Sequence, residues 1–203
     1  MKKTFLLIIA CVLVLVNAQA QSSEVEATSQ LTKAEQFKLN NSFIKETEIY
    51  KYNKNSIQIF TKLFTDLKTG EQLVALEFQP SKLVKAITAT SGLVAEPLGY
   101  VDMDQVDDLL LALETILNEY NNAAKKEKYT ISYTAPGGID VLFFDDGGQP
   151  QVWFRKKWFK IDDYGMRTNV YSEGFVMVTI KVLPDVISSI KEAQMIAIQS
   201  LNK

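Results

Sequence analysis

Between Tyr100 and Asn121 the apolar positions fall three and four residues apart. Met103, Val106, Leu110, Leu113 and Leu117 share one face at helical spacing, and Leu109, Leu111 and Ile116 widen it. The pattern predicts a strand end running straight into a long amphipathic helix. Eighty positions later Leu183, Val186, Ile190, Ala193 and Ala197 take the same five relative places, again behind an apolar strand, with Pro184 suited to a first helical turn.

Elsewhere the period is two. Phe43 to Tyr52 and Ser56 to Leu67 alternate, with Ile57, Ile59, Thr61, Leu63 and Thr65 on one face, and Lys68-Thr69-Gly70-Glu71 turns the chain into Leu73 to Phe78. Leu83 to Thr88 reads as an edge strand and Leu93 to Val101 as the approach to the first helix. Beyond that helix, Tyr129 to Thr134, Ile139 to Phe144 and Gln151 to Lys157 read as strands, separated by Ala135-Pro136-Gly137-Gly138 and Asp145-Asp146-Gly147-Gly148. Residues 158–173 read as a long loop, and Phe175 to Val182 as a last strand.

Each half therefore comes out as about four strands followed by one helix. The expected fold class is α+β: antiparallel sheets with two long helices, built as a tandem duplication of a four-strand-plus-helix unit, with half-repeats at about 43–125 and 128–203. A plain sheet with two helices and no duplication is the alternative. The order of elements resembles that of Whirly and Pur-alpha proteins, whose motifs the chain does not share. That resemblance implies single-stranded nucleic acid as a ligand, by analogy of fold alone.

Residues 1–20 place Lys2 and Lys3 before the apolar run Phe5 to Val16 and then Ala18-Gln19-Ala20, the three parts of a secretory signal, with cleavage expected after Ala20. A lipid anchor on Cys11 is the second reading; the apolar run continues past Cys11, which favours the first. No later apolar run is long enough to span a bilayer, so no transmembrane span is expected in the mature chain. Periplasm or extracellular space is the expected address. Residues 21–34 are polar and read as a flexible tether, leaving 35–203 as a single α+β domain.

The chain has one cysteine, Cys11, and no histidine. After processing, neither a thiol nucleophile, a Ser-His pair nor a zinc site built on Cys or His is available. No cofactor, metal site or catalytic residue is expected. Net charge is −2, or −4 once Lys2 and Lys3 are removed, which argues against a dedicated nucleic-acid binder.

Three patterns invite a chemical reading. Gln151 to Arg167 interleaves Trp153, Phe154, Trp158, Phe159 and Tyr164 with Arg155, Lys156, Lys157 and Lys160, and aromatic faces beside cations stack bases, sugars or aromatic ligands. Trp153, Arg155, Lys157, Trp158 and Tyr164 are the candidate ligand-binding residues; strand alternation sends Trp153, Arg155 and Lys157 to one side and Phe154 and Lys156 to the other. Asp102, Asp104, Asp107 and Asp108 lack the Gly and distal Glu of a calcium loop and read as charge at a helix start. Ser42-Phe43-Ile44-Lys45, Ser188-Ser189-Ile190-Lys191 and Lys68-Thr69-Gly70 match boxes of penicillin-binding enzymes by spacing only, since the middle box is missing.

The function expected from these observations is that of a secreted or periplasmic, non-enzymatic binding protein, with an unknown protein or small ligand as partner. A carboxylate-dependent hydrolase of envelope glycans is the alternative from another class, because paired Asp or Glu residues suffice for its chemistry. A single-strand binder is the third.

Overall fold

The structure, a computed structural model, describes residues 31–54, 56–82, 85, 97–123, 128–137, 139–145, 148–161 and 167–201, with side chains over 157–161 and 167–174 excepted. The signal-like segment and most of the polar tether lie outside the described residues. Thr32 to Lys203 group together as one unit.

Two antiparallel sheets of four strands carry the fold, in the orders β1-β2-β3-β4 and β5-β6-β7-β8. The first is Ile44–Lys54 (β1), Ile57–Asp66 (β2), Gln72–Pro80 (β3) and Gly99–Asp102 (β4); the second is Tyr129–Thr134 (β5), Ile139–Asp145 (β6), Gln151–Ile161 (β7) and Arg167–Thr179 (β8). Among the described residues three helices accompany them: Lys33–Asn40 (α1), Val106–Asn122 (α2) and Leu183–Leu201 (α3). The class is α+β, as the pattern of periods predicts.

The strand-to-helix junction occurs twice in the same form. Asp102 and Thr179 both sit at φ −69° and ψ 150°, and each leads through a single 3-10 turn, Met103–Gln105 or Ile180–Val182, into a helix. The structural offset is 77 residues rather than 80, because Met103 corresponds to Ile180, not to Leu183. At that offset the buried set of α2, Val106, Leu109, Leu110, Leu113 and Ile116, maps onto Leu183, Val186, Ile187, Ile190 and Ala193 of α3, all buried. Periodicity alone tolerates a slip of one helical turn, since apolar residues at three-and-four spacing recur either way. Leu111, assigned to the stripe by spacing, is 64% exposed.

Each long helix packs across the molecule from the sheet that precedes it. The α3 helix contacts β1, β2 and β3, and the Tyr50 hydroxyl of β1 donates to Glu192 of α3 at 2.9 Å. The α2 helix contacts β5, and its Tyr120 ring meets Phe143 of β6 edge-on at 6.1 Å. The inner faces of both sheets and both helices form one core, in which Phe78 of β3 stacks on Phe154 of β7 at 6.0 Å.

A bulge at Ile49 lets β1 serve two faces. Glu46 and Glu48 stand opposite Phe64 and Lys62 on the outer side, whereas Tyr50 and Tyr52, after the extra residue, stand opposite Thr61 and Ile59 on the core side. The expected loop over 158–173 is instead the far part of a long hairpin: β7 runs to Ile161 and β8 starts at Arg167. Mixed composition there does not preclude a strand pair extending past the core. Of the expected edge strand over 83–88, only Lys85 is described, and its N–H donates to the Ser81 carbonyl at 3.0 Å, a helical turn.

The α1 helix has no counterpart in the apolar pattern. Thr32, by composition part of the tether, is its N-cap, and Thr32 and Glu35 complete a capping box. Ala34 and Phe37 pack against Phe64 and Ala75 on the outer side of the first sheet. The first sheet is thus covered on both faces by helices.

Candidate binding face and adjacent cleft

The outer side of the second sheet is built differently. Strand register arranges it in three rows: Thr134, Asp140, Arg155 and Phe175; Ser132, Leu142, Trp153 and Met177; Thr130, Phe144, Gln151 and Thr179. The opposite row set, with Ile139, Val141, Phe143, Val152, Phe154, Val176 and Val178, is buried core. Phe144 and Phe175 remain 42% exposed and Met177 39% exposed, so no described element covers this face.

Trp153 lies at its centre, half-buried between Leu142 and Met177 and stacked on Phe175 with ring centroids 5.1 Å apart and planes 13° off parallel. Its indole N–H donates to Gln151 Oε1 at 3.0 Å. Arg155 shares the face, but its Nε donates to the buried Asp140 carboxylate at 2.6 Å, while Thr134 donates to the other oxygen at 2.7 Å. The guanidinium is therefore held against the sheet rather than extended into solvent.

The structure brings Trp153 and Arg155 together as alternation predicts. Lys157 and Trp158 lie in β7, paired with Tyr171 and Val170, and their side chains are outside the described part; Tyr164 and Asp162-Asp163 are outside the described residues altogether. Phe144, Phe175 and Met177 are the members that sequence reasoning passed over. Their signal was present: in Ile139 to Phe144 and Phe175 to Thr179 every second residue is core, which leaves the others facing outward.

Lys156 turns the other way and meets α1. Its ammonium donates to Glu35 Oε1 at 3.2 Å, and with Lys38, Glu77, Gly99 and Tyr100 these residues line a cleft of about 500 Å³ between the first sheet's outer side and β7. Lys38 donates to the Tyr100 hydroxyl at 3.1 Å and pairs with Glu46 at 3.5 Å. Burial works to lower the Lys38 pKa, but these two partners outweigh it and hold the ammonium above the ordinary lysine value; burial pushes the Tyr100 phenol up. Glu77, 7% exposed, faces Lys62 at 3.5 Å through Oε2, an oxygen with no hydrogen-bond donor.

The aspartates around the start of α2 are dispersed, Asp102 and Asp104 before it and Asp107 and Asp108 in its first turn. The Asp102 carboxylate accepts from the N–H groups of Lys33 and Ala34, Asp104 pairs with Lys33 at 2.7 Å, and Asp107 accepts from Gln194 at 2.7 Å. Lys68-Thr69-Gly70 is the β2–β3 turn: Asp66 accepts from Lys68 N–H and the Thr69 hydroxyl, and Gly70 takes a φ of 74°.

No family model matches this chain, and no curated protein does either. A solved structure, that of the plant transcriptional regulator PBF-2, aligns over 79% of this chain and 86% of its own with 10% identity and a TM-score of 0.27, too loose an overlap to carry an argument. No helix among the described residues is long and apolar enough to cross a membrane.

Proposed function

We propose that this is an exported, non-enzymatic interaction protein that docks another protein on the outer face of its second sheet. The observation that carries the reading is the Trp153–Phe175 stack, set among Leu142, Phe144 and Met177 on a face that no described element covers. Protein interfaces have this anatomy, with Trp, Phe, Met and Arg at the centre and small polar residues around them. Thr130, Ser132, Thr134, Gln151 and Thr179 supply that rim. Export is supported by the charged, apolar and small-residue succession of residues 1–20.

A photo-crosslinking side chain placed at Thr130 or Thr179 in growing cells tests the reading. One discrete adduct is expected, and Trp153→Ala or Phe175→Lys should abolish it while the melting temperature stays within a few degrees. Adduct formation indifferent to both substitutions would sink this site. Among the described side chains of this face the cation is Arg155, already directed to Asp140, so a nucleic-acid ligand is the less favoured occupant.

A further inference from the structure

We infer that the partner docks by strand addition: an extended segment of it pairs with the edge of β8 that faces away from β7, and lays uncharged side chains beside Trp153. The inference rests on the reading of the second sheet's outer face as a docking site for protein, and adds what kind of segment that site takes.

The Ile180 N–H donates to the Pro150 carbonyl at 3.2 Å, one step beyond the Gln151–Thr179 pair. Antiparallel pairs alternate between bonded and unbonded, so Val152–Val178 and Phe154–Val176 exchange the β7–β8 hydrogen bonds. The N–H and C=O groups of Phe175, Met177 and Thr179 therefore point away from β7. The β8 strand ends the order of its sheet, and no described element pairs with that edge. Phe175 and Met177 are also exposed members of the open face. The same residues thus present apolar side chains on the face and main-chain donors and acceptors at its border.

That combination selects the occupant. A main chain in extended form satisfies such a row group by group, and its residues bonded to Phe175 and Met177 fall on the same open face. Those residues are uncharged, because Arg155 and Asp140 in the adjoining row already neutralise each other. Edge strands that stay unpaired are commonly blunted by charge, proline or a bulge. The β1 edge has Glu46, Glu48, Lys51 and its bulge, whereas Phe175 to Thr179 has none of these devices. A second copy of β8 fits less well. Setting Met177 against its counterpart places Phe175 opposite Thr179 and drives the rest of a 13-residue strand into the Ile180–Val182 turn.

The probe is a capped peptide of alternating threonine and valine with a lysine at each end, measured by calorimetry and ligand-detected NMR on the purified protein. It is expected to bind at or below about millimolar concentration. Methylating the valine amides, which face β8 when the valines lie on the open face, should weaken it roughly tenfold or more; methylating the threonine amides should change little. Met177→Pro removes an edge donor without breaking a β7–β8 bond, and should weaken the peptide more than Met177→Ala does. Absence of binding at about 10 mM overturns the inference, as does equal binding of the two methylated peptides. So does a dimer in sedimentation that Met177→Pro makes monomeric, since the occupant is then a second copy. Because the methylated peptides are compared on the unaltered protein, a variant that fails to fold does not remove the test. Equal binding of those peptides, with the crosslinked adduct still lost in Trp153→Ala, leaves the docking face standing without strand addition. An adduct indifferent to Trp153→Ala, with the two peptides still differing, removes the face and keeps the edge.

Discussion

Asp102 and Ala34 stand 68 residues apart in sequence, yet the Asp102 carboxylate accepts the Ala34 N–H at 3.1 Å and the Lys33 N–H at 2.6 Å. The end of β4 thereby caps the first turn of α1, whose free N–H groups and positive dipole end favour a carboxylate. Asp102 is 2% exposed, and burial, only partly offset by those two N–H donors, holds its carboxyl above the ordinary aspartate value. Asp102→Ala should lower stability by about 2 kcal/mol in denaturant titration and expose α1 to proteolysis. Unchanged cleavage in the Lys33–Asn40 segment would mean that Phe37 packing alone holds the helix.

Phe154 carries the contact between the two sheets through its stack on Phe78. Both rings are fully buried, so Phe154→Ala is expected to cost about 4 kcal/mol, while Trp153→Ala, one residue away on the open face, should cost less than half of that. Equal losses in thermal melts would place Trp153 in the core and end the interface reading.

The crossed packing of α2 and α3 makes each half dependent on the other. Residues 32–123 and 128–201, expressed separately, should each lack cooperative unfolding, because each half leaves an inner sheet face uncovered. Mixing them should restore it. A cooperative transition in either fragment alone would contradict the crossed arrangement.

Tyr50 gives the fold a pH dependence at the alkaline end. Burial, reinforced by the Glu192 carboxylate that accepts a hydrogen bond from it, pushes the phenol up to about 12. The folded state therefore holds the proton longer than the unfolded chain. Its stabilisation is complete below the ordinary tyrosine value near 10 and is lost as pH rises through about 12. The stability gap between the native protein and Tyr50→Phe, about 1 kcal/mol at neutral pH, should shrink over that window in denaturant titrations.

Glu46 contributes to the acid limb. Burial works to raise its carboxyl, but Lys62 at 2.9 Å and Lys38 outweigh this and hold it below the ordinary value. Its contribution is present above the unfolded glutamate value and is lost as pH falls through the lower folded one. Glu46→Gln should flatten the acid side of the stability profile; an unchanged profile would show that this pair is fully screened by solvent.

Much of this molecule was legible in the pattern of residues. The strands, β7 and β8 in part only, and both long helices follow from periods of two and of three-to-four, because a half-buried strand or helix must alternate in step with its own geometry. The α1 helix was not legible: Lys33–Asn40 is short and mostly polar, and its capping box sits in a stretch whose composition resembles a linker. The aromatic-basic run was visible as a candidate, but the division of labour within it was not. Alternation separates Trp153 from Phe154 without saying which side is core, and that depends on where the other sheet lies.

The sequence by itself determined the α+β class, the repeated strand-to-helix order and the removal of His-based chemistry from the options. Those features depend on neighbours a few residues apart or on composition alone. Tertiary structure decided which sheet each helix covers, which face of the second sheet stays open, and that Glu35, Glu77 and Lys156 meet in one cleft. Those contacts join residues far apart along the chain, and their partners are chosen by the packing of complete surfaces, which no local period encodes.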